Sequence, residues 1–281
     1  SFSNSGSSAD LIQQSGKVLV QKSQQGGGSP IIRGYEASRI LLVVDGVRMN
    51  NAIYRAGHLQ NIITLDPSIL DRVEIAYGPS STVYGSDALG GVLHFHTRRP
   101  DLLSEGEKPF AGSAFVRYAT AASALSGNLN FNVANKKVAS FTSVSYSDFG
   151  DLKAGSVENK NGKYGTFGFR PYYVVTTNGV DQLVQNNDIT KQVYSGYTQY
   201  DVMEKILFQQ SHKIAHLLNL QYSTSSDIPR YDRLTDPLND DSLRFAEWYY
   251  GPQERLLAAY EFSFVAPNLF FDFGRLTASY Q

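Results

Sequence analysis

The sequence predicts a mainly β fold in two parts, a small α+β globular unit over residues 1–100 and long antiparallel strands of a transmembrane β-barrel over 101–281. Three observations predict it. Of the 35 aromatic residues, 6 fall in the first 100 positions and 29 in the remaining 181, so the two parts are different materials. The second part alternates apolar and polar residues over stretches of about 15 residues, against about 5 to 6 in typical soluble strands. Its connections alternate between short and long, which is the asymmetry of a membrane barrel with tight turns at one end and loops at the other.

Composition sets the outer limits. Twenty-five Lys plus Arg face 26 Asp plus Glu, a net charge of -1, so no basic surplus exists to bind a phosphate backbone and nucleic acid is not an expected partner. Zero cysteines remove disulfide scaffolds, thiol nucleophiles and cysteine-ligated metals. No apolar run approaches the ~18 residues of a membrane helix. A mean hydropathy of -0.27 is compatible with a barrel, whose strands are apolar on one face only. The part boundary at Arg98-Arg99-Pro100-Asp101 also separates a net charge of +2 from one of -3.

In the first part, Ala9 to Val20 reads as a short helix and then a strand, and Gly26-Gly27-Gly28-Ser29-Pro30 breaks the chain. Ile40 to Asp45 is a buried strand, Asp45-Gly46 a tight turn, and Val47-Arg48-Met49 the return. Asp66-Pro67-Ser68 has the form of a helix start. Arg72 to Tyr77 alternates as a strand, Ser80 to Gly85 forms a short helical turn, and Val92 to Thr97 is the last strand. Gly34, Gly46, Gly78, Gly85, Gly90 and Gly91 are read as turn or close-approach positions. In the second part we place seven strands near 110–120, 124–134, 138–149, 192–209, 213–226, 254–266 and 269–281. If their Phe, Tyr and Leu faces point outward and their Asn, Glu and Ser faces inward, the outside needs lipid and the inside needs water or a polar plug. Seven strands do not close a bacterial barrel, and the chain stops at Gln281 within an alternating run, so a longer protein is expected.

Four blocks carry a resemblance: Ile31-Ile32-Arg33-Gly34-Tyr35, Leu42 to Asn50 (LVVDGVRMN), Ile69 to Ile75 (ILDRVEI) and Gly78 to Val92 (GPSSTVYGSDALGGV). In this order they resemble the plug domain of TonB-dependent outer-membrane receptors. The resemblance covers roughly residues 9–100 and implies a plug inside a barrel of about 22 strands, of which about seven are present. It implies no enzyme but an active importer of a scarce iron-containing ligand, haem or a ferric siderophore, in the outer membrane of a Gram-negative bacterium. The implied partners are outer-membrane lipid, the TonB-ExbB-ExbD energising complex acting through a TonB box not recognised in Ser1 to Ser8, and a surface lipoprotein. The alternatives are the same mechanism with cobalamin, a peptide or a glycan, a non-transporting surface β-protein, or a hydrolase whose triad only folding would assemble.

The resemblance also suggests roles for residues. Arg33, Arg72 and Glu74 are expected to join the plug to the barrel wall, with Glu261 as a wall-side partner, against the alternative of solvated ions in a water-filled lumen. Tyr54-Arg55-Ala56-Gly57-His58-Leu59-Gln60 occupies the place of an apex loop facing the ligand. Its Gly-His-Leu resembles haem receptors, in which His58 would be an axial iron ligand flanked by Tyr54, Arg55 and Gln60; with a ferric chelate, His58 is a polar apex residue only. No intrinsic cofactor is expected. His94 and His96 share one strand face but lack a third ligand nearby in sequence, so a polar plug face is the simpler reading. The acidic loop with Asp232, Asp236, Asp240 and Asp241 lacks calcium-loop spacing.

Overall fold

The computed structural model describes residues 5–36, 39–49, 62–78, 84–85, 88–155, 169–239, 242–267 and 271–281. Helix α1 (Ser8–Gln14) begins where the Ser7 hydroxyl accepts the Asp10 amide, and it buries Ala9 and Ile12. Strands β1 (Leu19–Gln21) and β2 (Ser29–Ile31) form an antiparallel pair. Strands β3 (Ile40–Val44), β4 (Val47–Arg48), β5 (Leu70–Tyr77) and β6 (Gly91–Thr97) make a four-stranded sheet of order β4-β3-β6-β5, with β3 and β6 parallel. Every residue of β3 is buried, which is why its sequence is continuously apolar rather than alternating. Strand β5 lies at the sheet edge and is half exposed.

The core of this unit packs Ile40, Leu42, Leu93 and Phe95 against Ala9 and Ile12, and Leu257 and Ala259 of the second part join it. Asp45 and Gly46 both have positive φ, 50° and 85°, the two-residue turn that an Asp-Gly pair favours. At Gly91, φ is 142° and an added Cβ would stand 2.7 Å from the Ala76 carbonyl, so only glycine lets β5 and β6 approach there. Asp66 caps a 3-10 turn over Pro67–Ile69 by accepting the Ser68 amide at 2.8 Å. The helical turn expected over Ser80 to Gly85 falls largely outside the described residues.

The second part is one antiparallel meander. Strands β7 (Phe110–Ala119), β8 (Ala124–Ala134) and β9 (Val138–Phe149) are followed by a separate hairpin, β10 (Tyr172–Thr177) and β11 (Val180–Gln185). Strands β12 (Tyr197–Ser211) and β13 (Ile214–Ser225) resume the wall. An insertion then carries β14 (Ile228–Pro229), a short helix at Tyr231–Leu234, β15 (Pro237–Asn239), β16 (Ser242–Leu243) and β17 (Tyr249–Tyr250). Strands β18 (Glu254–Val265) and β19 (Phe273–Tyr280) complete an open seven-stranded sheet of order β19-β18-β13-β12-β9-β8-β7. The strand expected from residue 192 starts instead at Tyr197, because the Ser195 and Gly196 amides are committed to the Asp151 carboxylate, at 2.9 and 3.3 Å.

The sheet is inverted relative to a soluble one. Asn128, Asn130, Ser143, Ser145, Gln199 and Lys205 are buried, whereas Leu125, Leu129, Val144, Tyr200, Leu220 and Tyr260 on the opposite face are exposed. Glu204 is an acidic exception on the apolar face, and its carboxylate accepts the Ser140 and Thr142 hydroxyls. The tight turns β8–β9 and β12–β13 lie at one end, and the hairpin and the β14–β17 insertion grow from connections at the other.

Candidate functional site

The buried polar face of the sheet is covered by the N-terminal unit, and the joint between them is the best-defined site in the described residues. Its centre is Asp45, carried outward by the β3–β4 turn. The Asp45 carboxylate accepts the Thr97 amide at 2.9 Å and the Thr97 hydroxyl at 2.6 Å, both within its own unit. From the wall it receives Lys205 Nζ at 2.9 Å, Asn219 Nδ2 at 2.9 Å and Gln221 Nε2 at 3.2 Å. Lys205 is 1% exposed and also donates to the Thr97 carbonyl at 3.3 Å. Burial pushes the Asp45 carboxyl up, but the Lys205 charge and the Thr97 hydrogen bonds outweigh it and hold the group below the ordinary carboxylate range.

Further contacts extend the joint. Arg255 Nε donates to the Thr64 carbonyl at 3.2 Å while its terminal nitrogen donates to Gln221 Oε1 at 2.8 Å. Gln199 Nε2 donates to the Ile63 carbonyl at 2.8 Å, and the Ser145 hydroxyl donates to Asp66. Beyond β6, Arg98 donates to Asn130 at 3.2 Å and lies over the Phe141 ring, and Arg99 pairs with Glu261 at 3.0 Å. A cleft of about 650 Å³ beside these contacts is lined by Ser7 and Asp66 and by the wall residues Arg117, Asn128 and Asp201.

Of the four residues expected to join plug and wall, Glu261 reaches across, to Arg99, and is also 3.5 Å from Arg275 of β19. The other three find partners in their own unit. Arg72 pairs with Glu74 at 2.8 Å and Asp71 at 3.2 Å, and Arg33 lies 5.0 Å over the Tyr77 ring. Their place on or beside the edge strand β5 explains this, since Arg72 and Glu74 are exposed there. Gly34, Gly78 and Gly85 have φ of 82°, 83° and 93°, and a Cβ on Gly90 would come within 2.3 Å of Tyr35. Tyr54, Arg55, His58 and Gln60 lie outside the described residues. Asp232 and Asp236 are paired with Arg230 and Arg233, as a solvated acidic loop would be, and Asp240 and Asp241 lie outside the described residues.

Sequence reasoning missed Asp45, Lys205 and Arg255. A lysine at an inward position of an alternating strand was a usable signal for Lys205, since an unpaired charge is not buried. Asp45 was hidden by its own turn chemistry, which already accounts for an aspartate.

An α+β unit sealed by hydrogen bonds to the polar face of a β wall, with that wall's other face apolar, defines a plugged membrane barrel. Residues 3–92 match the family model of the TonB-dependent Receptor Plug Domain. The chain is 36% identical over 116 residues to a protein named hemin receptor from Yersinia pestis, an alignment covering 41% of this chain and 16% of the relative. A hemin receptor from Yersinia enterocolitica is 39% identical over 103 residues, covering 36% and 14%. Among solved structures, the FrpB iron transporter from Neisseria meningitidis superposes with a TM-score of 0.69 at 17% identity, covering 99% of this chain and 38% of that one. The chain thus spans well under half the length of the proteins it matches.

Proposed function

We propose that this chain is the plug, through about residue 100, and the first wall strands of a TonB-dependent receptor that imports an iron-containing ligand, haem or a ferric siderophore, across the outer membrane. The observation that carries the reading is the Asp45–Lys205 joint. A buried ion pair loses most of its Coulomb gain to desolvation, so it specifies where the plug sits without making it costly to move. Each donor on the wall can exchange its plug acceptor for water once a gap opens. The joint therefore suits a plug that is pulled and reseated, and the pulling partner is the TonB-ExbB-ExbD complex, which engages an extended segment by strand addition. The inverted wall supports outer-membrane lipid as the surrounding phase, and a surface lipoprotein fits the long outer insertions as a delivery partner. The chain is read as a transporter and not as an enzyme.

The similarity to two hemin receptors supports haem over a ferric chelate. His58 then supplies an axial nitrogen, and Tyr54, Arg55 and Gln60 contact the ligand's periphery. Growth of a receptor-deleted strain complemented with the full-length protein tests the reading, with haem or a ferric siderophore as sole iron source. Growth on either ligand that disappears when the energising complex is deleted is the expected result. Growth on both ligands without the receptor contradicts it.

A further inference from the structure

The face of the four-stranded sheet opposite Leu93 and Phe95 carries a second cluster, beside the plug–wall joint. Glu74 of β5 and His94 of β6 are direct register partners, and His96, two residues on, shares their face. The two imidazoles stack with centroids 3.9 Å apart. One ligand atom from each of Glu74, His94 and His96 can be chosen so that all three lie within 4.8 Å of one another. In sequence the two histidines had no third ligand; strand pairing brings one from 20 positions away.

We propose that Glu74, His94 and His96 form a binding site for a first-row divalent transition-metal ion of the zinc class. Two imidazole nitrogens and one carboxylate oxygen are a donor set that such ions favour, with water completing the coordination. The geometry presents nitrogen atoms toward a common point. His94 Nε2 accepts the Gly46 amide at 3.0 Å and so carries a lone pair. His96 Nε2 is shielded from solvent, lacks a partner in hydrogen-bond geometry among the described residues and lies 3.2 Å from Glu74 Oε2. An ion between these atoms would give that nitrogen a partner, at the expense of the Gly46 hydrogen bond and of the Arg72–Glu74 contact. That contact is exposed and weak.

Selectivity follows from the surroundings. A cavity of about 180 Å³ beside the cluster is lined by Asp45, Asp71 and Glu261 and by Arg72, Arg99, Lys205 and Arg275. The lining has no excess of negative charge and offers no general attraction for cations, so calcium or magnesium, which need several hard oxygens, are disfavoured against an ion that bonds imidazole. Once bound, the ion clips β5 to β6, the strand that leads directly into Thr97, Arg98 and Arg99 at the wall.

The test uses the full-length protein in detergent, stripped with a chelator and titrated with Co2+, whose visible absorption reports nitrogen ligation. One equivalent should bind and be displaced by Zn2+ but not by Mg2+. His94→Ala, His96→Ala and Glu74→Gln should each weaken binding by about tenfold or more, beyond the effect of losing an outer-shell partner. Arg72→Ala, which releases the carboxylate, should tighten it. Retained heat-modifiable migration in gels shows that each variant is folded. The absence of stoichiometric Co2+ binding in the wild type, or binding undiminished in folded His94→Ala and Glu74→Gln, overturns the proposal.

Discussion

Asp45 does two jobs with one side chain, closing its own turn onto Thr97 and receiving three donors from the wall. Removing one partner of a buried pair leaves an uncompensated charge, so Lys205→Ala should loosen the plug by about 3 to 5 kcal/mol. Replacing both with neutral groups, as in Asp45→Asn with Lys205→Met, should cost much less than either change alone. Urea titration of plug unfolding in the full-length protein measures both, and additive losses would remove the pair from the account. The Asp45 carboxyl is held below its ordinary range, so its contribution is complete above the unfolded value near 3.8 and is lost as pH falls through the depressed folded value. In Asp45→Asn that acid-induced loosening should be missing, which the same titration run at descending pH will show. His58 acts at this scale too. If it ligates haem iron, His58→Ala shifts the absorption band of the haem-loaded receptor, whereas with a ferric chelate only a hydrogen bond of about 0.5 to 1.5 kcal/mol is lost and no band moves.

At the scale of elements, the wall strands were legible because period-two alternation is a local signal, and Leu129 and Asn130 on β8 already state which face is which. The β10–β11 hairpin was not legible, since residues 150–191 were read as one connection and its strands lack a buried face to enforce alternation. The plug contacts were legible only as a class. Lys205 and Asp45 are 160 positions apart, and nothing local in either segment names the other. Arg72 pairs within its own unit for a related reason: its strand is recognisable, but its position at the sheet edge depends on a parallel pairing between β3 and β6 that the sequence does not display. Leu220→Arg, near the middle of the exposed face of β13, should destabilise the inserted protein by ~2 to 4 kcal/mol if that face meets lipid. An unaltered unfolding midpoint in bilayers would mean it does not. On intact cells, an impermeant thiol reagent should label Asn178→Cys in the β10–β11 turn and leave Lys136→Cys in the β8–β9 turn unlabelled; the reverse pattern inverts the orientation.

For the whole molecule, the N-terminal unit rests on the polar face of the wall through hydrogen bonds, which under the proposed function must break for a ligand to pass. Shared burial links the parts as well, since Leu257 and Ala259 complete the core around Leu93 and Phe95. This makes the plug part of the fold and not a tethered domain. The absence of cysteine makes the claim directly testable, because Ser68 of the plug and Ser145 of β9 place their hydroxyl oxygens 3.3 Å apart. In Ser68→Cys with Ser145→Cys, built into a cysteine-free full-length receptor, mild oxidation should form a disulfide, and ligand uptake should stop and return on reduction. Two thiols that remain open to alkylation after oxidation, or uptake that continues with the disulfide fully formed, would contradict the account.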